Sequence, residues 1–184
     1  MDIYRVAFFG HRRIDKLREI EEKLVPILNE LILTKEYVEF YIGRNGEFDE
    51  FAASVIKSVQ KRLDRGNSAL ILTLPYTVKD MEYYADYYDE IVIPDAIGKA
   101  HPKGAITLRN RWMVDTADLV IAYIEHEQGG AYAAVRYAEK RSKKIISLLD
   151  TQYSNIPSTI WNTGIYQFIN FVLYCVIVLP VWYL

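Results

Sequence analysis

Between Met1 and Asp150, short and nearly unbroken apolar runs alternate with stretches in which apolar residues recur every three or four positions. The runs are Tyr4–Phe9, Val38–Ile42, Ala69–Leu74, Ile91–Ile93, Leu119–Ile124 and Lys144–Leu149. Little polar alternation interrupts the stronger ones, which is the pattern of strands buried on both faces. Between them Leu17, Ile20, Leu24, Leu28 and Leu31 set one apolar stripe along a helix; Phe51, Ala52, Val55, Ile56, Val59 and Leu63 set a second, and Ala131, Ala134, Val135 and Ala138 a third. Pro26 falls inside the first stripe and is expected to kink or split that helix. A tyrosine-rich stretch puts Tyr83 over Tyr87 and Tyr84 over Tyr88 if helical, one ladder for the core and one for packing, a base or a partner subunit. Strands alternating with helices predict an α/β, Rossmann-like fold: a mostly parallel sheet with helices on both faces.

Composition divides the chain. All 22 Lys and Arg and all 24 Asp and Glu lie between Met1 and Asp150, leaving 151–184 uncharged. The expected organisation is a folded domain over 1–150 followed by an apolar C-terminal tail over 151–184. Residues 165–184 would reach roughly 30 Å as a helix, the thickness of a hydrocarbon core, which suits a membrane anchor. Gln167, Asn170 and Pro180 and the lack of a flanking Lys or Arg weigh against insertion, and the alternative is packing on the body or an oligomer interface. The opening Met1-Asp2-Ile3-Tyr4-Arg5 is not a secretory signal, so the body is expected in the cytoplasm.

A formal charge of −2 gives no global positive field, and on that ground nucleic acid is not expected as a partner. The single cysteine, Cys175, permits no intrachain disulfide. With three histidines and neither CxxC nor HExxH spacing, neither a metal site nor a resident cofactor is expected.

In a wound parallel sheet the ligand crevice lies beyond the carboxyl ends of the strands. The segments there are Gly10-His11-Arg12-Arg13, Gly43-Arg44-Asn45-Gly46-Glu47-Phe48-Asp49, Pro75-Tyr76 and, after a polar stretch, Gly129-Gly130. Three carry glycine and three are expected to run straight into helix amino termini, whose free N–H groups favour phosphate or carboxylate. Arg12, Arg109 and Arg111 offer bidentate charge-assisted contacts to such an anion. Each group also has a plainer reading. Gly10 and Gly43 serve equally as strand ends. His11 suits a phosphate or ribose contact or a local backbone cap. Asp49 suits a ribose contact, a general base or a first-turn carboxylate. Arg109 and Arg111 have Asp115 and Asp118 as alternative partners. His101–Gly104 reads as a loop before the Arg109 helix, a connection or a lid.

Phe9-Gly10-His11-Arg12, Ile42–Asp49, Leu74-Pro75-Tyr76 and above all the block from Arg109-Asn110-Arg111-Trp112 through Ala117-Asp118 to Gly129-Gly130 and Glu139 resemble the YpsA-like branch of the SLOG superfamily, over roughly residues 3–149. The resemblance implies a Rossmann-like domain that binds or processes nucleotide derivatives, in some members as a sensor in bacterial or phage conflict. It also implies a relationship to the LOG phosphoribohydrolases. Arg109, Met113, Ala117-Asp118 and Gly129-Gly130 occupy the places of their motif. Gln128, Tyr132 and Ala133 depart from it, and Arg136 stands at the position of the catalytic glutamate. Arginine can neither position water nor stabilise an oxocarbenium-like sugar, so only Asp49 and Glu139 remain as candidate catalytic carboxylates.

The expected function is therefore binding or sensing of a nucleotide-derived small molecule, at Gly10, His11, Arg12, Gly43, Gly46, Asp49, Tyr76, Arg109, Asn110, Gly129 and Gly130. One alternative is a nucleoside-phosphate or nucleotide-sugar hydrolase. Another is a membrane-tethered interaction protein with a vestigial pocket. Relatives often dimerise, which makes a homo-oligomer a further expectation.

Overall fold

Successive residues of the first strand feed two different cores, and this alternation organises the molecule. The computed structural model describes residues 1–79, 81–95, 97 and 102–149, with Met1–Leu149 forming one compact unit. Strand β1 (Ile3–Gly10) points Val6 and Phe8 to one face and Ala7 and Phe9 to the other, all of them buried. Helices α1 (Leu17–Thr34) and α2 (Glu47–Leu63) cover the first face with Ile20, Leu24, Leu28, Ala52, Ile56 and Val59. Helices α4 (Pro102–Thr116) and α5 (Gly129–Lys140) cover the second with Met113, Val114, Ala134 and Ala138. Two helical layers thus sandwich a sheet whose strands are apolar on both sides, as the unbroken runs required.

The remaining elements are β2 (Tyr37–Ile42), β3 (Ser68–Thr73), α3 (Met81–Tyr87), β4 (Glu90–Val92), β5 (Leu119–Tyr123) and β6 (Lys144–Ser147). The six strands pair in parallel in the order β4-β3-β2-β1-β5-β6. The fold is α/β and Rossmann-like.

Pro26 does not split α1, which runs unbroken through it. The proline is on the exposed side of the helix, where the carbonyl of Glu22 that loses its donor can bond to water, while Ile20, Leu24, Ile27 and Leu28 hold the opposite face in the core. The segment before Arg109 is not a connecting loop: helix α4 already begins at Pro102, whose fixed φ and missing N–H suit a first helical position. The tyrosine ladders separate as the 3.6-residue period dictates. Tyr88 joins the core with Tyr84 packed against it, whereas Tyr83 is 73% exposed. Among the described residues no helix is long and apolar enough to cross a membrane. The tail over 151–184, with its candidate anchor over 165–184, lies outside the described residues.

Candidate functional site

Strands β2, β3 and β4 follow β1 to one side and β5 and β6 to the other, so the order reverses between β1 and β5. A crevice beyond the strand ends is expected at that switch point. A cavity of about 620 Å³ lies there. Eight of the residues predicted from sequence line it together: Gly10, His11, Arg12, Asp49, Arg109, Asn110, Gly129 and Gly130.

Arg109 comes from α4 on one face of the sheet and Asp49 from the first turn of α2 on the other, and they meet over Gly43 at the end of β2. A Cβ on Gly43 would lie 2.3 Å from Arg109 Nη1 and 2.6 Å from Asp49 Oδ2. Gly43 is not among the residues lining the cavity; its missing side chain is the space between the guanidinium and the carboxylate. Arg109 is only 4% exposed. Its Nη1 donates to the Thr73 carbonyl at 3.2 Å and to Met113 Sδ at 3.7 Å, while its Nε is buried with no partner. A buried donor left unpaired costs about 1–3 kcal/mol, more when charged. Burial pushes the guanidinium pKa down, and Asp49 acts in the opposite direction. Asp49 Oδ2 accepts the Asn45 N–H at 2.9 Å, yet burial still raises the carboxyl above its ordinary value against that bond and Arg109.

The second wall is built on the switch point itself. His11 follows β1 and His126 follows β5, and their imidazoles stack 3.7 Å apart at 4°. The His126 N–H donates to His11 Nε2 at 3.3 Å, so neutral His11 carries its proton on Nδ1. Burial, then the neighbouring His126, hold the His11 pKa below its ordinary value. Beside them α5 opens with Gly129 at φ +88°, a left-handed conformation that favours glycine, and nothing stands where its Cβ would be. Gln128 makes no side-chain cap to this helix. The first amides of α5 thus border the cavity at the positive end of the helix dipole. Asn110 Nδ2 ties α4 to this turn by donating to the Gly130 carbonyl at 3.4 Å.

Gly10 lines the cavity but is required for packing: its Cβ would lie 2.1 Å from Phe48 Cγ. Gly46 similarly lets α2 start against the backbone of Arg12, whose Cα would be 2.7 Å from the added Cβ. Gly46 and Tyr76 line an adjoining hollow of about 540 Å³ that shares Arg12, Asn45 and Ile106 with the first. The loop before α2 is four residues long, Gly43–Gly46, whereas five residues, Ile124–Gln128, precede α5 and six, His11–Lys16, precede α1.

Arg111 is corrected: it is exposed, stacks over Tyr137 at 5.5 Å and is not among the lining residues. Glu139 likewise does not reach the cavity; it pairs with Arg136 on the exposed side of α5. Sequence reasoning missed His126 and placed Arg13 and Asn45 in the crevice segments without naming them as contacts; all three line the cavity. His126 was legible in principle, since it stands just past the carboxyl end of β5, but Glu125-His126-Glu127 reads as a polar connector. Among the described residues no group of three His, Cys, Asp or Glu is placed to hold a metal ion.

No family model and no curated protein matches the chain in sequence. Solved structures do match in fold. DNA processing protein A from Helicobacter pylori, whose structure describes a single-stranded DNA binding mode, aligns with a TM-score of 0.55 at 18% identity, covering 92% of this chain and 80% of that one. DNA processing protein A from Streptococcus pneumoniae aligns with a TM-score of 0.58 at 15% identity, covering 91% of this chain and 56% of that one. This chain shares the Rossmann-like fold of these proteins. The molybdenum cofactor carrier protein from Chlamydomonas reinhardtii also aligns, with a TM-score of 0.49 at 15% identity over 79% of this chain and 76% of that one. The exclusion of nucleic acid from net charge is corrected here: a protein of the same Rossmann-like fold binds single-stranded DNA. A whole-chain sum of −2 says nothing about the cations gathered at one sheet edge, where Arg12, Arg13 and Arg109 share a cavity.

Proposed function

We propose that the crevice between the ends of β1 and β5 binds a nucleotide-derived anion, and that the chain is a YpsA-like member of the SLOG superfamily. One observation carries this reading: the Arg109 guanidinium is buried in the cavity wall with its Nε unpartnered, held at a carbonyl and a thioether and not in a bidentate ion pair. An arginine kept in that state is costly unless an anion completes its coordination. The uncapped amino terminus of α5 supports the same reading from the opposite wall, because phosphate satisfies several free amides at once. Binding is preferred to turnover. Of the two carboxylates weighed as catalytic groups only Asp49 lines the cavity, so no acid and base pair stands there.

A second reading is a single-stranded nucleic acid laid across the same edge, so that one of its phosphates meets Arg109. The exposed Arg12 and Arg13 at the rim favour it. Melting curves with nucleoside monophosphates and ADP-ribose, beside anisotropy of a labelled single-stranded oligonucleotide, separate the two. The first reading expects a saturable rise in melting temperature with a mononucleotide, corresponding to about 2.7 kcal/mol at a hundredfold excess over Kd, and weak, strongly salt-dependent oligonucleotide binding. Tight oligonucleotide binding with no mononucleotide effect would favour the second. No shift with any of these probes would remove both.

A further inference from the structure

The two hollows meet at Arg12, Asn45 and Ile106, yet their chemistry differs. Arg109, Asn110 and the start of α5 line the inner one, where Asp49 is the sole acid among the lining residues. Glu47, Glu50 and Tyr76 line the outer one, with Arg12 at the boundary as the only cation among its described lining residues. Glu47 is held in place because its Oε2 accepts the Ile14 N–H at 3.0 Å, while the Glu47 N–H donates to the Arg12 carbonyl at 2.9 Å. Tyr76 leaves 46% of its surface exposed at the rim.

We infer that the outer hollow is a subsite for the uncharged, donor-bearing end of the ligand: a nucleobase stacked on Tyr76 and donating amino hydrogens to Glu47 and Glu50. The inference rests on the anion reading of the inner hollow and fixes the ligand's direction, phosphate inward and nucleoside outward. Two exposed carboxylates at the outer hollow disfavour a second phosphate there, so a ligand charged at one end is selected over one charged at both. A tyrosine face accepts any base, with stacking as its contribution.

Isothermal titration of the full chain with ribose 5-phosphate, a nucleoside 5′-monophosphate and the corresponding nucleoside 3′,5′-bisphosphate tests this. The monophosphate is expected to bind roughly tenfold tighter than ribose 5-phosphate, the gain expected of one stacked base. The bisphosphate is expected to bind more weakly than the monophosphate. Tyr76→Ala should abolish the gain from the base and leave ribose 5-phosphate binding within about twofold, since a truncation at an exposed site does not touch the inner contacts. Glu50→Gln should narrow the gap between mono- and bisphosphate. If ribose 5-phosphate binds but the base adds nothing, or the bisphosphate binds as well as the monophosphate, the subsite is wrong and the anion reading stands. If no phosphate-bearing probe binds, both fall.

Discussion

The imidazole rings of His11 and His126 lie parallel, 3.7 Å apart, one from the loop after each of the two strands that flank the switch point. Burial, and then the neighbouring His126, disfavour the charge on His11. With the folded pKa of His11 depressed below its unfolded value, the unfolded chain binds the proton more readily. Stability is therefore full above about pH 6.5 and declines as the pH falls through and below that value. Melting temperature followed from pH 8 to pH 5 should decrease, and the slope should flatten in His11→Gln. An unchanged slope in the variant would assign the decline to other groups.

Gly10 and Phe48 form a packing lock between the end of β1 and the first turn of α2. Gly10→Ala places a Cβ inside the Phe48 ring and should destabilise by about 1–3 kcal/mol in urea denaturation. Phe48→Leu alone removes contact area, but combined with Gly10→Ala it should recover part of the loss, because the two changes share one space. Strict additivity would show that the strain is relieved elsewhere.

Gly43→Ala acts on the site more than on the core. The added methyl displaces the Arg109 guanidinium and the Asp49 carboxylate, both of which lie on the ends of side chains. Phosphate-ligand affinity should fall by roughly tenfold or more for a misplacement of this size. The urea midpoint should move less than in Gly10→Ala. Retained affinity would separate the anion site from the place where these two groups meet.

Asp49→Asn tests how the carboxyl contributes. Its folded pKa is raised, so its stabilising contribution is complete below its unfolded pKa and is lost as the pH rises through the folded value. At pH 7 the neutral amide, which can still accept the Asn45 N–H through Oδ1, should leave stability unchanged or raise it. It also removes a negative charge beside the anion, so phosphate-ligand affinity should rise. Lower affinity in Asp49→Asn would instead assign Asp49 a direct contact to the ligand.

The sheet was readable because the runs of four strands, β1, β2, β3 and β5, are largely apolar on both faces. Helix α4 was not readable from periodicity. It turns Met113 and Val114 into one core, and also buries Arg109 and Asn110 at the strand ends, so no single apolar stripe appears. The glycines were visible as a pattern, but their reasons were not. Gly10 answers to Phe48, and Gly43 to Arg109, residues far along the chain that only the fold brings near. Glu139 was weighed by its distance along the helix from the LOG glutamate position, whereas the turn of α5 carries it to the exposed side with Arg136.

The central claim is that Arg109 is held ready for an anion and is not a structural ion pair. Its most direct test is titration calorimetry of a nucleoside monophosphate into the wild-type chain and into Arg109→Met, with the urea midpoint of each unliganded protein measured alongside. The account predicts that the variant is at least as stable as the wild type, since it loses an incompletely paired buried charge, and that its affinity falls by roughly ten- to a hundredfold. A variant that is strongly destabilised yet binds the nucleotide with unchanged affinity would contradict it.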